Sequence, residues 1–280
     1  MTSRPALAAA ASIGVLVAML ASASPAIGAR AGSGDPVAHA SVIRGVPADP
    51  AQWTFAVAIL QNNRFECSGS LISPTTVLTA AHCALEPIGL SVVAGRASLT
   101  APGGEVIPVA DARIDPDYPQ TRRNDVAVLT LASPAAEAPV VLATAAEDAT
   151  ATVPGAPLQV AGFGARNPTF FGRPKGGLLR TTTEYVRTTC QPAYGPDFDP
   201  QSMICALGLP VPGLIINHTI CSGDSGGPLI ASTPEGSRQV GVVSFSGRPK
   251  RGRLRFLNCG LPRFPSVYSR VTDALAFIGP

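Results

Sequence analysis

Charge is scarce in this chain. Only 14% of its 280 residues are Asp, Glu, Lys or Arg. The net charge of +3 is too small, and its basic residues too scattered, to make nucleic acid or a membrane surface the main partner. Extended helical patterns are also missing: 28 glycines and 28 prolines break the sequence into short elements and favour an all-β fold. No Cys-x-x-Cys or His/Cys cluster occurs, which argues against a zinc site, and nothing calls for a cofactor. No internal repeat stands out. Histidine is rare, with only His39, His82 and His218, so any general base must come from a short list.

What is present begins with Arg4 and an uncharged run from Pro5 to Ala29 centred on Ile13-Gly14-Val15-Leu16-Val17-Ala18-Met19-Leu20. This reads as a secretory signal over residues 1–31, with Ala-x-Ala sites at Ala21/Ala23 or Ala29/Ala31. The competing reading is an uncleaved anchor, against which Pro25 and the small residues count. No later stretch approaches a transmembrane length. Residues 32–41, polar at Gly32-Ser33-Gly34-Asp35, read as a short propeptide. Six cysteines form an even set in an exported chain, where disulfides persist, but spacing alone leaves fifteen pairings open.

From Phe55 onward, short β-rich runs recur between turn residues: Phe55 to Leu60, Thr76 to Thr79, Ser91 to Ala94, Val126 to Leu131, Leu158 to Ala161 and Val240 to Phe245. That spacing fits barrels or sandwiches. Val153-Pro154-Gly155-Ala156-Pro157 marks a junction between two halves. The one good helical pattern lies at the end, where Val271, Leu275 and Ile278 recur behind Thr272 and Asp273 as caps.

The most specific segment is Cys221-Ser222-Gly223-Asp224-Ser225-Gly226-Gly227-Pro228-Leu229, a serine set between glycines ahead of an apolar strand. Gly223 allows a tight turn, and the amides of Gly223 and Ser225 can point together at a developing oxyanion. Serine is too weakly acidic to attack unaided and needs a general base. His39 falls in the propeptide and His218 sits three residues before Cys221, which leaves His82 in Leu78-Thr79-Ala80-Ala81-His82-Cys83. A histidine base needs an orienting carboxylate, and Arg123-Asn124-Asp125-Val126-Ala127-Val128-Leu129 supplies Asp125 at the entrance to an apolar strand. Singly, each has a plainer reading: a structural histidine, the first residue of a strand, a Gly-rich turn.

Taken together and in this order, the three motifs resemble the chymotrypsin family. Subtilisin-like enzymes run Asp, His, Ser and α/β-hydrolases run Ser, Asp, His, so chain order separates them. Weaker matches at Cys67-Ser68-Gly69-Ser70-Leu71-Ile72-Ser73 and Ala161-Gly162-Phe163-Gly164 extend the resemblance over Val42 to Ile278. It implies two packed six-stranded antiparallel β-barrels with a short C-terminal helix, residues 42–153 forming the first barrel and 154–280 the second with the helix. It implies a secreted, extracellular serine endopeptidase with His82, Asp125 and Ser225 catalytic, Gly223 and Ser225 forming the oxyanion hole, and Ser244-Phe245-Ser246 holding substrate as an added strand. It also implies the pairs Cys67–Cys83, Cys190–Cys205 and Cys221–Cys259, a freed Val42 amine beside Asp224, no metal or cofactor, and a monomer whose partners are a peptide or protein substrate and a proteinaceous inhibitor.

Departures from the family pattern matter for specificity. Val42-Ile43-Arg44-Gly45 only partly matches the family's Ile-Val-Gly-Gly, and Ser41 before it is not a basic activation site. By resemblance the pocket is read at Thr219, Ser246 and Ser266. Trypsin-like members carry an aspartate at the first of these, and glycines at the other two, so the expectation is a narrowed pocket for a small or medium apolar residue rather than Arg or Lys. Asn217-His218-Thr219 matches a glycosylation sequon by coincidence. Arg248 to Arg255 holds five basic residues and reads either as a solvated loop or as a subsite for acidic residues. The rival functions are a catalytically silent binding protein on the same fold and an esterase using the same triad.

Overall fold

Asn62 and Asn63 both take positive φ, 50° and 62°, and close a two-residue hairpin of the kind whose twist matches right-handed strands. Around such turns the chain builds short strands whose apolar residues face inward. The computed structural model describes residues 42–121, 123–165, 168, 177–248 and 252–279. The signal and propeptide readings and residues 249–251 of the basic segment lie outside the described residues.

A two-residue strand, β1 (Val46–Pro47), leads into β2 (Ala56–Gln61), β3 (Arg64–Ser73), β4 (Thr76–Thr79), β5 (Leu90–Ala94), β6 (Glu105–Ile114) and β7 (Ala127–Leu131). The last six close into an antiparallel barrel of order β2-β3-β4-β7-β6-β5. Val57, Ile59, Leu71, Val77, Leu78, Val92 and Leu129, all without exposed surface, belong to its core.

The chain continues through β8 (Val141–Leu142), β9 (Pro157–Gly162), β10 (Arg180–Val186), β11 (Met203–Gly208), β12 (Pro228–Thr233), β13 (Gly236–Ser246) and β14 (Ser266–Arg270). Here β10-β11-β14-β13-β12-β9 form a second ring, closed by pairing of β9 with β10. Its core holds Leu158, Val160, Ile204, Leu229, Val240, Val243 and Tyr268. All six strands of each ring run antiparallel to their neighbours, so the two-barrel expectation holds.

The ends of the described chain cross over. Ile43 donates from its amide to the Thr219 carbonyl at 2.8 Å and packs with Val211, Ile216 and Leu261, while β1 pairs with β10, so the N-terminal segment straps the second barrel. The C-terminal helix, Leu275–Ile278, packs against the first barrel's core, and Arg113 on β6 donates to the carbonyls of Phe277 and Ile278 at 3.2 and 3.3 Å. Its capping differs from expectation. Its N-cap is Ala274, which offers no side-chain cap, and Thr272 donates instead to Asp148 Oδ2 at 2.9 Å. A second helix, Ala145–Ala151, was not anticipated, although its signal is in the sequence: Thr144 and Glu147 form a reciprocal capping box.

Candidate functional site

Antiparallel pairing of β4 with β7, with Thr79 opposite Ala127, sets the residues after β4 beside those before β7. His82 follows β4 in a single 3₁₀ turn, Ala81–Cys83, and a disulfide from Cys83 to Cys67 on β3 pins that turn. Asp125 precedes β7, after Asn124 in the left-handed region at φ 49°. The two side chains meet: His82 Nδ1 lies 2.8 Å from Asp125 Oδ2, and the His82 amide donates to Oδ1 at 3.0 Å. Ser244 on β13 donates to Oδ2 at 2.6 Å, so the second barrel also grips this carboxylate.

Burial alone would push the Asp125 carboxyl up, but the hydrogen bonds and charge from His82, together with Ser244 and the His82 amide, hold it below its ordinary value. An ionised Asp125 keeps the proton on Nδ1 and leaves Nε2 as an acceptor.

Ser225 lines a cavity of about 220 Å³ together with Ile220, Ser222, Ser244, Phe245, Ser246 and Asn258, among others. Its loop is braced from behind. Ser68 on β3 receives the Phe163 amide at 3.0 Å, donates its hydroxyl to the Gly223 carbonyl at 2.9 Å, and donates its own amide to the Ser225 carbonyl at 2.8 Å. Asp224, Gly226 and Gly227 commit their amides inward, to Cys221, Val243 and Asp224. Among the described residues, the amides of Gly223 and Ser225 donate no hydrogen bond, and Gly223 takes φ 92°. The Ser225 hydroxyl makes none either, to His82 or to any other described residue. Gly226 leaves no choice of residue: a Cβ there would lie 2.1 Å from Thr79 Oγ1 and 2.3 Å from the Ser68 carbonyl.

Asp224 is fully buried and accepts from the amides of Cys221 at 2.8 Å, Gly164 at 2.9 Å and Val42. Burial outweighs these three donors and pushes its carboxyl up to about 7. Val42 is itself fully buried and held at φ 54°, a region a β-branched residue enters only under strain.

Of the expected pocket residues, Ser244, Phe245 and Ser246 line the cavity, whereas Thr219 and Ser266 do not line it and are almost wholly buried. Both hydrogen-bond to Glu184 on β10, a carboxyl that burial pushes up to about 7. Asn217 is also buried and donates from Nδ2 to the Gly208 carbonyl at 2.6 Å, so the sequon's attachment atom is used inside the fold. Arg248, Arg253 and Arg255 are exposed.

Comparison with known proteins decides the family. The family model described as Trypsin matches residues 42–278. The chain belongs to the trypsin family of serine proteases. It is 32% identical over 236 residues to a trypsin of Saccharopolyspora erythraea, covering 82% of this chain and 93% of that one. It is 30% identical over 268 residues to trypsin alpha-4 of Lucilia cuprina, covering 91% and 93%. To serine protease 57 of Rattus norvegicus it is 29% identical over 245 residues, covering 85% and 81%. As a member of the trypsin family it is a serine endopeptidase, and peptides are its substrate class. No helix among the described residues is long and apolar enough to cross a membrane.

Sequence reasoning passed over two residues of this trypsin-family site. Ser68 stood within a quoted motif without a role. Glu184 carried no signal at all, since a glutamate in the threonine-rich Arg180–Val186 run reads as solvent-facing.

Proposed function

We propose that the protein hydrolyses peptide bonds through Ser225, His82 and Asp125 by way of an acyl-enzyme. The observation that carries this reading is the Ser244–Asp125–His82 chain of hydrogen bonds, whose Ser244 lines the same cavity as Ser225. Ser225 Oγ attacks the scissile carbonyl as His82 Nε2 takes its proton. Asp125 stabilises the imidazolium, and the unused amides of Gly223 and Ser225 receive the oxyanion. His82 then gives the proton to the leaving amine, and water releases the acyl group by the same steps in reverse order. Beyond Val243, β13 pairs only with β14 among the described strands, which leaves an edge at Ser244-Phe245-Ser246 for the substrate backbone.

The finer reading includes export, with a signal over 1–31, a propeptide over 32–41 and a mature domain from Val42 whose ammonium pairs with Asp224. Relief of the strained φ at Val42 on cutting the Ser41–Val42 bond supports that position. Specificity is not of the trypsin kind, in which a carboxylate at the pocket base meets Arg or Lys directly: among the described residues no carboxylate lines the cavity, and by resemblance Thr219 takes the place of that aspartate.

Ser225→Ala tests the reading. The variant should be secreted and folded, with peptide turnover reduced by roughly 10⁶-fold. An organophosphonate should label Ser225 in the mature wild type. Wild-type turnover in the variant would remove Ser225 as nucleophile, and a mature protein that resists labelling would favour the silent binding protein instead.

A further inference from the structure

Glu184 is a fully buried carboxyl that no step of the proposed reaction uses. Its Oε1 accepts from Thr219 Oγ1 at 2.9 Å, Ser266 Oγ at 2.9 Å and the Ile220 amide at 3.3 Å, and the two hydroxyl oxygens stand 2.7 Å apart. Its Oε2 has no well-aligned donor, but the neighbouring Tyr268 hydroxyl is close enough to support the ionised carboxyl. Among the described residues no Lys, Arg or His pairs with it. A buried carboxyl without a cation is costly where an apolar residue would pack, so its presence asks for a role.

The cavity beside Ser225 lies one residue away. Ile220 lines it and follows Thr219 in sequence, and Ser246 lines it and faces Ser266 across the β13–β14 pairing. The chemistry of the cluster has a direction. Two hydroxyl protons serve three contacts, Thr219 with Glu184, Ser266 with Glu184, and Thr219 with Ser266, so neither is left to donate outward. Neither hydroxyl lines the cavity itself, so a side chain has to reach past Ile220 and Ser246 to meet them, and it then finds lone pairs backed by a carboxyl. An acidic end is repelled there, an apolar end gains nothing, and an N–H or O–H donor is complemented.

We propose that Glu184 is a specificity-determining residue which, through Thr219 and Ser266, selects a substrate side chain ending in a hydrogen-bond donor just before the scissile bond. This rests on the peptidase reading with Ser225 as nucleophile. The sequence alone, in which nothing marks Glu184 as a neighbour of Thr219, points to an apolar residue; the cluster points the other way.

The test uses two matched pairs of peptides that differ only before the scissile bond, lysine against norleucine and glutamine against methionine. With the mature wild type, the donor-bearing member of at least one pair should have a kcat/KM higher by about tenfold or more. In Glu184→Gln the amide can donate to the two hydroxyls and turn their protons outward, and the ratio should fall to near one. Thr219→Val, which removes one hydroxyl at constant shape, should lower the ratio as well and stands in if the first variant does not fold. A ratio within one preparation is independent of the fraction folded. Equal rates in both pairs with the wild type, or a ratio unchanged in the variants, overturns the proposal. Organophosphonate labelling separates the layers: a labelled enzyme without donor preference sinks the role of Glu184 alone, whereas a protein that neither labels nor cleaves sinks the peptidase reading beneath it.

Discussion

Both oxygens of Asp125 are occupied, one by the His82 amide and one by the His82 ring with Ser244, so its replacement tests orientation rather than presence. Asp125→Asn preserves shape but presents an N–H to the ring and favours the wrong tautomer. Peptide turnover should drop by about 10⁴-fold, as serine protease triads do on this change, with melting temperature nearly unaltered. Steady-state kinetics beside a thermal melt checks both halves of that statement. The glycines give a second contrast at the same scale. Gly226→Ala forces a Cβ into Thr79 and Ser68 at positive φ, whereas Gly155→Ala, also at positive φ, meets nothing within 4 Å. Expression should collapse for the first, while the second should cost only about 1 kcal/mol in a denaturant melt. Position 226 was legible as a turn glycine from its motif. That it is wedged between two β-barrels was not, because the atoms crowding it come from residues about 150 positions earlier in the chain.

At the scale of elements, the strands read best from sequence were those with uninterrupted apolar runs, such as β4 and β7. Among those missed, β11 is apolar and buried throughout but short and set among turn residues, while two others carry no plain apolar run. In β6 most side chains are exposed or half-buried, so little apolar pattern exists to find. In β10 the threonines and Glu184 hide a strand held from both sides, by β9 and β11. The N-terminal segment carries the prediction that belongs here. In the unbroken chain Val42 offers Asp224 only an amide, and the folded carboxyl titrates near 7 against an ordinary 3.8. A folded value raised in this way makes the stabilising contribution full below about 3.8 and lost as pH rises through about 7. Glu184, raised from 4.5 to about 7, acts in the same sense in both forms. The uncut Ser225→Ala precursor should therefore melt at progressively lower temperature from pH 4 to pH 8. After a cut before Val42 the ammonium supports the ionised Asp224, and the decline should be shallower. Parallel curves for the two forms would argue against the Val42–Asp224 pair.

For the whole molecule, the two halves of the proposed site belong to different barrels, His82 and Asp125 to the first and Ser225 to the second, and the crossed straps hold them together. Ile278 is buried against the first barrel although the chain reaches it only from the end of the second. Ile278→Ala should cost about 2–4 kcal/mol by cavity formation, and it should lower activity more than a mutation of equal cost deep inside one barrel. Comparing it with Ile204→Ala, in the second barrel's own core, separates loss of alignment from loss of stability.

No disulfide joins the barrels: Cys67–Cys83 lies in the first, Cys190–Cys205 and Cys221–Cys259 in the second, and no cysteine is left free. Between them the backbone passes through Val153, Pro154 and Gly155, all exposed. Two separate polypeptides divided at that point would each own every cysteine they need and half of the reactive groups, while the swapped ends, β8 and the Ala145–Ala151 helix would give them surfaces to recognise one another. Neither fragment would cut anything by itself, so proteolysis would become a logical AND, switched on by whatever brings the two fragments into the same place.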